Sequence, residues 1–241
     1  MSGHSKWHNI QARKGKQDAL KSGAFSKLSK AITVTARLGG GDLDSNFSLR
    51  LAVEKARKTS MPKDKIEKAI KVGTGEDKDA AQIDEVLYEG YGPAGVAILV
   101  KTLTDNKNRT VSELKHLFSK SGGSLGEVGS VKWMFVQKGQ ITVQASQFIA
   151  NRDNNELAII EAGADDITEE DEYIKIYTKV EDLQKVLKKA EELGLEIEES
   201  KLDWVAKDLV PVPEEKTKLL ENLFEALEEN EDVEDYFTNA E

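Results

Sequence analysis

The spacing of apolar residues changes near residue 78, and that change decides what this chain can fold into. Before it, apolar positions recur every three or four residues, the mark of helices with one buried face. Beyond it, short β-branched runs alternate with helical stretches, the mark of sheets covered by helices. After Ser22-Gly23, the positions Phe25, Leu28, Ala31, Ile32 and Leu38 follow one helix face, ending at Gly39-Gly40-Gly41. A second helix is predicted after Asp44-Ser45, burying Leu49, Ala52, Val53 and Ala56. A third begins around Pro62, a residue suited to a first helical turn, buries Ile66, Ala69 and Ile70, and stops at Gly73. The segment before Ser22 is polar, basic and poorly periodic, and is expected to gain order only against a partner.

Residues 86–88 and 96–100 read as strands joined by a turn at 92–95. Thr110 and Glu113 have capping-box spacing for a helix burying Val111, Leu114, Leu117 and Phe118. Gly122-Gly123 end that helix, and Val131, Trp133 and Phe135 alternate as a further strand. The next block has a strand at 141–143, a short helix at 157–160 ending at Gly163, and a strand at 173–177. Val180, Leu183, Val186, Leu187, Ala190 and Leu193 line one helix face, with Gly194 past its end. A strand through Ile197 or through 202–205 closes the block. After Pro211-Val212-Pro213 come a helix carrying Leu219, Leu220, Leu223, Phe224 and Leu227 and a strand at 233–237. That last pair can complete the sheet opened at 78–134. The predicted fold is therefore α+β and multidomain. A small helical domain (1–77) precedes two α+β domains with antiparallel sheets, the second discontinuous (78–134 plus 208–241) and the third (135–207) inserted into it.

A net charge of −10 conceals a strong polarity. Residues 1–75 carry 16 Lys and Arg against 6 Asp and Glu, residues 76–138 carry 8 against 9, and residues 139–241 carry 10 against 29. One end is drawn to polyanions and the other repelled by them. The basic residues include Lys6, Arg13, Lys14, Lys16, Lys21, Lys27 and Lys30, then Arg50, Lys55, Arg57, Lys58, Lys63, Lys65, Lys68 and Lys71, with Trp7 and His8 interleaved. A solvated helix face accounts for any three or four of these charges. Phosphate neutralisation accounts for the whole cluster, because each Lys or Arg contact releases condensed counterions. The expected nucleic-acid contacts are Lys6, Trp7, His8, Arg13, Lys14, Lys16, Lys21, Lys27, Lys63, Lys65, Lys68 and Lys71.

Other chemistries find no support. The absence of cysteine removes disulfides, thiolate metal sites and thiol nucleophiles, and suits a reducing cytoplasm. No apolar run approaches the roughly 20 residues that span a bilayer, so no membrane partner is expected. The stretch 90–95 matches G-x-G-x-x-G, but a strand follows where a dinucleotide site needs a helix. The stretch 122–126 matches G-x-S-x-G, but the segment before it is helical and every histidine precedes Ser124, so it reads as a flexible loop. Asp42, Asp44 and Asn46 begin like a calcium loop, yet Phe47 and Val53 stand where Gly and Glu are required, and a helix-capping turn fits better. His4 and His8 could share a helix face, but two ligands are too few for structural zinc. No cofactor, metal or catalytic residue is expected.

These residues carry a close resemblance to the YebC family. The matching stretches are MSGHSKWHNIQARKGKQDA, FSKLSKAI, KARKTSMPKDKIEKAIKVGTG, YEGYGPAGVAILV, TDNKNRTVSELKHLFSKSGGSLGEVGSVKWMF and KGQI, which cover most of residues 1–141. The resemblance implies three domains, the third inserted into the second, and no catalytic residues. Bacterial members are described as probable transcriptional regulators that bind DNA and have been linked to ribosome function; mitochondrial relatives are translational activators. By position, the family's basic N-terminal motif falls on Lys6, Trp7, His8, Arg13, Lys14 and Lys16, and its helical motif on Lys63, Lys65, Lys68 and Lys71. Leu20 and Ala24 depart from members with more lysines there. The expected function is a DNA-binding regulator of transcription. Two alternatives stay open, a translation factor bound to ribosomal RNA on the ribosome, and an interaction module that docks a basic protein partner through its acidic face.

Overall fold

The computed structural model of the chain describes residues 21–77 and 81–241. The described residues open with α1 (Lys21–Gly39), α2 (Phe47–Lys58) and α3 (Lys63–Gly73). Then come β1 (Asp84–Tyr91), β2 (Ala97–Thr104), α4 (Lys107–Lys120) and β3 (Ser124–Leu125). Next follow β4 (Phe135–Gln144), α5 (Ala145–Ile149), α6 (Arg152–Ala162), β5 (Ala164–Glu170), β6 (Tyr173–Thr178), α7 (Leu183–Glu192) and β7 (Ile197–Ala206). The last are α8 (Glu214–Glu229) and β8 (Val233–Thr238). By their contacts they form two compact units, residues 135–207 in one and the rest in the other. No helix among the described residues is long and apolar enough to cross a membrane.

The three opening helices interlock through Leu28, Ile32 and Ala36 of α1, Leu49, Val53 and Ala56 of α2, and Met61, Ile66 and Ala69 at α3. Asn46 fixes the start of α2, its side chain accepting from the Leu49 N–H at 3.1 Å. The turn before it is the capping turn expected of Asp42-Leu43-Asp44, with Ser45 Oγ donating to the Asp42 carboxylate at 2.8 Å. Pro62 stands just outside α3 as its N-cap instead of within its first turn. Leu38 belongs to the last turn of α1, past the final core contact at Ala36, and is exposed despite its spacing.

One sheet runs β3-β1-β2-β8, and every pairing in it is antiparallel. The chain therefore leaves this sheet after β3 and returns more than a hundred residues later to add β8 beside β2, as the sequence pattern predicted. Helices α4 and α8 supply Leu114, Phe118, Leu220, Leu223, Phe224 and Leu227 to a core against Ile98, Val100 and Tyr236. Each such side chain contributes about 2 kcal/mol by leaving water. Strand β2 is buried along nearly its whole length, and α1 touches both β2 and β8. The glycine-rich stretch 90–95 is the hairpin turn that joins β1 to β2, with Gly92 N–H donating to the Val96 carbonyl at 2.7 Å.

Three local readings are corrected. Helix α4 begins at Lys107 and is capped by Asn106, whose side chain accepts from the Arg109 N–H at 3.1 Å. Thr110 and Glu113 therefore lie inside the helix, and Thr110 turns its hydroxyl to Asp232. The stretch 122–126 is not a loose loop, since Ser124 and Leu125 pair with Tyr91 and Gly90. Residues 131–134 form no strand; they end in a tight turn at Lys132–Met134. The cause is Glu89, whose carboxylate takes the Val131 and Lys132 N–H groups at 2.8 and 2.7 Å that a strand would give to a neighbour.

The second unit is a sheet in the order β5-β6-β4-β7, again antiparallel, with its helices contributing Phe148, Ile159, Val186, Leu187 and Ala190 to the core. Strand β7 spans both predicted options, 197 and 202–205, in a single run. The sequence reading missed β5, an edge strand whose acidic residues tolerate solvent.

Candidate nucleic-acid interface

Apolar spacing in α2 and α3 buries one stripe of each helix and leaves the intervening positions to solvent. Lys55, Arg57 and Lys58 fill the last turn of α2. Their charges suit a helix C-terminus, where unpaired carbonyls leave partial negative charge. Thr59–Pro62 then turns the chain, with the Met61 N–H donating to the Ala56 carbonyl at 2.9 Å. Lys63, Lys65, Lys68 and Lys71 follow along α3, all exposed. Lys63 lies 3.6 Å from Glu67, an exposed pair one helical turn apart, worth little in water. Lys65 sits over the Phe25 ring, 5.4 Å from its centroid. Lys68 and Lys71, three residues apart, share a helix face and pair with no carboxylate among the described residues. The structure thus brings four of the predicted contacts together on one short helix, with three further basic residues at its approach.

Lys27 falls elsewhere. Its ammonium donates to the Glu228 carbonyl at the end of α8. Burial lowers its pKa, outweighing the nearby Glu228 charge. Lys6, Trp7, His8, Arg13, Lys14 and Lys16 lie outside the described residues, as do His4 and the expected disorder before Ser22; Lys21 stands at the start of α1.

Lys30, one turn after Lys27, reaches a carboxylate that sequence reasoning did not single out. Asp232 is 3% exposed and accepts from Lys30 Nζ at 2.5 Å, Arg109 Nη2 at 2.8 Å and Thr110 Oγ1 at 2.7 Å. Burial pushes this carboxyl up, but the three donors outweigh it and hold its pKa at about 2. Hydrogen bonds to Asp232 and then Asp105 in turn raise the Arg109 pKa. The cleft beside this knot, about 570 Å³, is lined by Lys30 and Arg109 but also by Asp105, Glu113, Glu229 and Glu231. Such a mixed lining does not favour a polyanion. Nothing in the spacing of the sequence marks Asp232, because its partners lie more than a hundred residues away. Among the described residues no cluster of His, Asp and Glu could hold a metal ion.

Comparison with known proteins covers nearly the whole chain. The profile of the TACO1/YebC protein N-terminal domain matches residues 5–76, and that of the TACO1/YebC second and third domain matches residues 83–240. A "Probable transcriptional regulatory protein" of Maridesulfovibrio salexigens is 49% identical over 241 residues, covering 100% of this chain and 95% of the relative. One of the same name from Halothermothrix orenii is 44% identical, covering 99% and 94%. The crystal structure of a conserved hypothetical protein from Aquifex aeolicus superposes with a TM-score of 0.87 at 42% identity, covering 98% of this chain and 97% of that one. Helical region, split sheet and inserted sheet together make this chain a member of the TACO1/YebC family.

Proposed function

We propose that this protein is a non-enzymatic regulator of gene expression that binds nucleic acid through the basic face of α2 and α3, with the basic residues before Ser22 adding to it. The single observation that carries the reading is the run of exposed lysines at 63, 65, 68 and 71 on a helix whose other face is locked in the core. Phosphates meet these charges without any need for base recognition, so binding tolerates sequence. The name shared by the relatives, probable transcriptional regulatory protein, supports regulation of transcription as the role. A cytoplasmic location is part of the same proposal.

The test is titration of the full chain with duplex DNA and structured RNA at increasing salt. Affinity should fall steeply with a linear log–log slope. Substituting Lys63, Lys68 and Lys71 together with alanine should weaken binding to all duplex sequences alike and flatten the slope by about 0.9 per lost phosphate contact. Salt-independent affinity, or a triple variant that binds as well as the parent, would sink the reading.

A further inference from the structure

We propose that the solvent face of α6 is a docking site for a basic amphipathic helix of a partner protein, with Leu157 and Ile160 as its apolar anchors. The site lies in the inserted unit and is independent of the nucleic-acid reading above. Leu157 is 59% exposed and Ile160 is 52% exposed. Three residues apart on one helix, they are neighbours on its surface. A lone exposed leucine is ordinary, but two large aliphatic side chains side by side make a patch that water covers poorly.

The opposite face of α6 does the work of the fold. Asn155, Ile159 and Ala162 are buried there, and the helix packs on α7 and β5. The Asn155 amide donates to the Phe148 carbonyl of α5 at 2.9 Å, which ties the start of α6 to the helix before it. At the other end the Gly163 N–H donates to the Ile160 carbonyl at 2.9 Å and closes the last turn. The patch is thus carried on a preformed rod. A partner that covers it orders no new backbone in this chain.

Charge selects the partner. Asp153 lies one turn before Leu157 and Glu161 one turn after it, so carboxylates stand at both ends of the patch, about 12 Å apart along the axis. Both are exposed, and neither pairs with a cation among the described residues. Glu156 adds little, because Arg152 lies 3.8 Å from it and 3.0 Å from Glu169. A second copy meeting this one patch to patch would set carboxylates against carboxylates. Nucleic acid and anionic lipid are repelled for the same reason. A helix with two aliphatic residues one turn apart, and Lys or Arg a turn beyond each, matches the patch in shape and in charge. The neighbouring α7 carries exposed Lys185 and Lys188, so the partner's cations belong at the two ends of α6 and not over α7. The footprint is small, so association is weak and reversible.

The experiment titrates the full chain with synthetic helical peptides of about four turns and follows its amide resonances by heteronuclear NMR. The probe carries a leucine pair one turn apart with lysines flanking it. One control replaces the leucines by serine, and the other replaces the lysines by glutamate. The probe should shift resonances of residues 153–161 and bind about tenfold more tightly than either control. L157S/I160S should weaken the probe by about tenfold or more, and D153N/E161Q by about 2- to 10-fold. The melting temperature of both variants should match the parent's. A probe that does not bind, or that shifts resonances all over the acidic surface, overturns the site. A serine control that binds as well as the probe overturns it too, because charge alone is then at work. So does movement of the α6 resonances when the free protein is diluted, which would make the occupant a second copy.

Discussion

Asp232 keeps its charge where burial alone would remove it, because Lys30, Arg109 and Thr110 all donate to it. Its carboxyl titrates at about 2 in the fold, against about 3.9 in an unfolded chain. The stability it contributes is therefore complete above about pH 4 and is lost as pH falls towards about 2. Asp232→Asn should cost about 2–3 kcal/mol at neutral pH, since Lys30 is left without its carboxylate while Arg109 keeps Asp105. Urea melts of both proteins at pH 7 and at pH 3 would test this; the gap between them should narrow at the lower pH. An unchanged gap would assign the loss to something other than this charge. The lysines of α3 were legible in the sequence because their neighbours in space are also neighbours in the chain. Asp232 and Glu89 were not, because what makes them special arrives from distant segments.

At the scale of elements, α1 and α3 meet at Gly73 without room for a side chain. A Cβ there would lie 2.4 Å from the Thr33 carbonyl oxygen and 2.7 Å from the Ala36 Cβ. Gly73→Ala should therefore cost about 1–3 kcal/mol, as overpacking of a tight contact does. Gly23→Ala, within α1 and with no atom inside 4 Å of the new methyl, should instead stabilise by about 0.5 kcal/mol. Chemical denaturation gives both signs, and a neutral Gly73→Ala would show that the helices can part without penalty. Elements with a clear stripe, such as α2, α7 and α8, were readable from spacing alone. Those governed by one distant side chain were not. Residues 131–135 alternate like a strand, yet Glu89 takes the backbone donors a strand would use. The cap of α4 was misread because Asn106 lay outside the apolar pattern that drew attention to Thr110.

For the whole molecule, the fold divides what looked like one acidic block. Residues 139–207 carry 17 Asp and Glu against 8 Lys and Arg, while residues 208–241 carry 12 against 2. The second group belongs to the same unit as the basic helices and meets Lys27 and Lys30 directly. Part of the charge polarity is thus satisfied within the protein, while the lysines of α3 stay exposed to solvent. Residues 135–206 begin and end on paired strands, Phe135 opposite Ala206. This segment, expressed alone, should fold and melt in one cooperative transition by circular dichroism. A broad, non-cooperative melt would count against its being an independent domain.

The return of β8 to the first sheet also bears on how the chain is made. About 130 residues separate the end of β2 from the start of β8. At roughly 5–20 residues per second, a ribosome needs on the order of ten seconds to produce them. Throughout that interval the nascent β2, with its Ala97-Ile98-Leu99-Val100 run, has one edge unpaired and no α8 to cover it. The inserted segment can meanwhile complete its own sheet, so it matures first although it is encoded in the middle. Such a nascent chain presents an open, sticky strand edge during synthesis, and that interval is when it is most prone to aggregate.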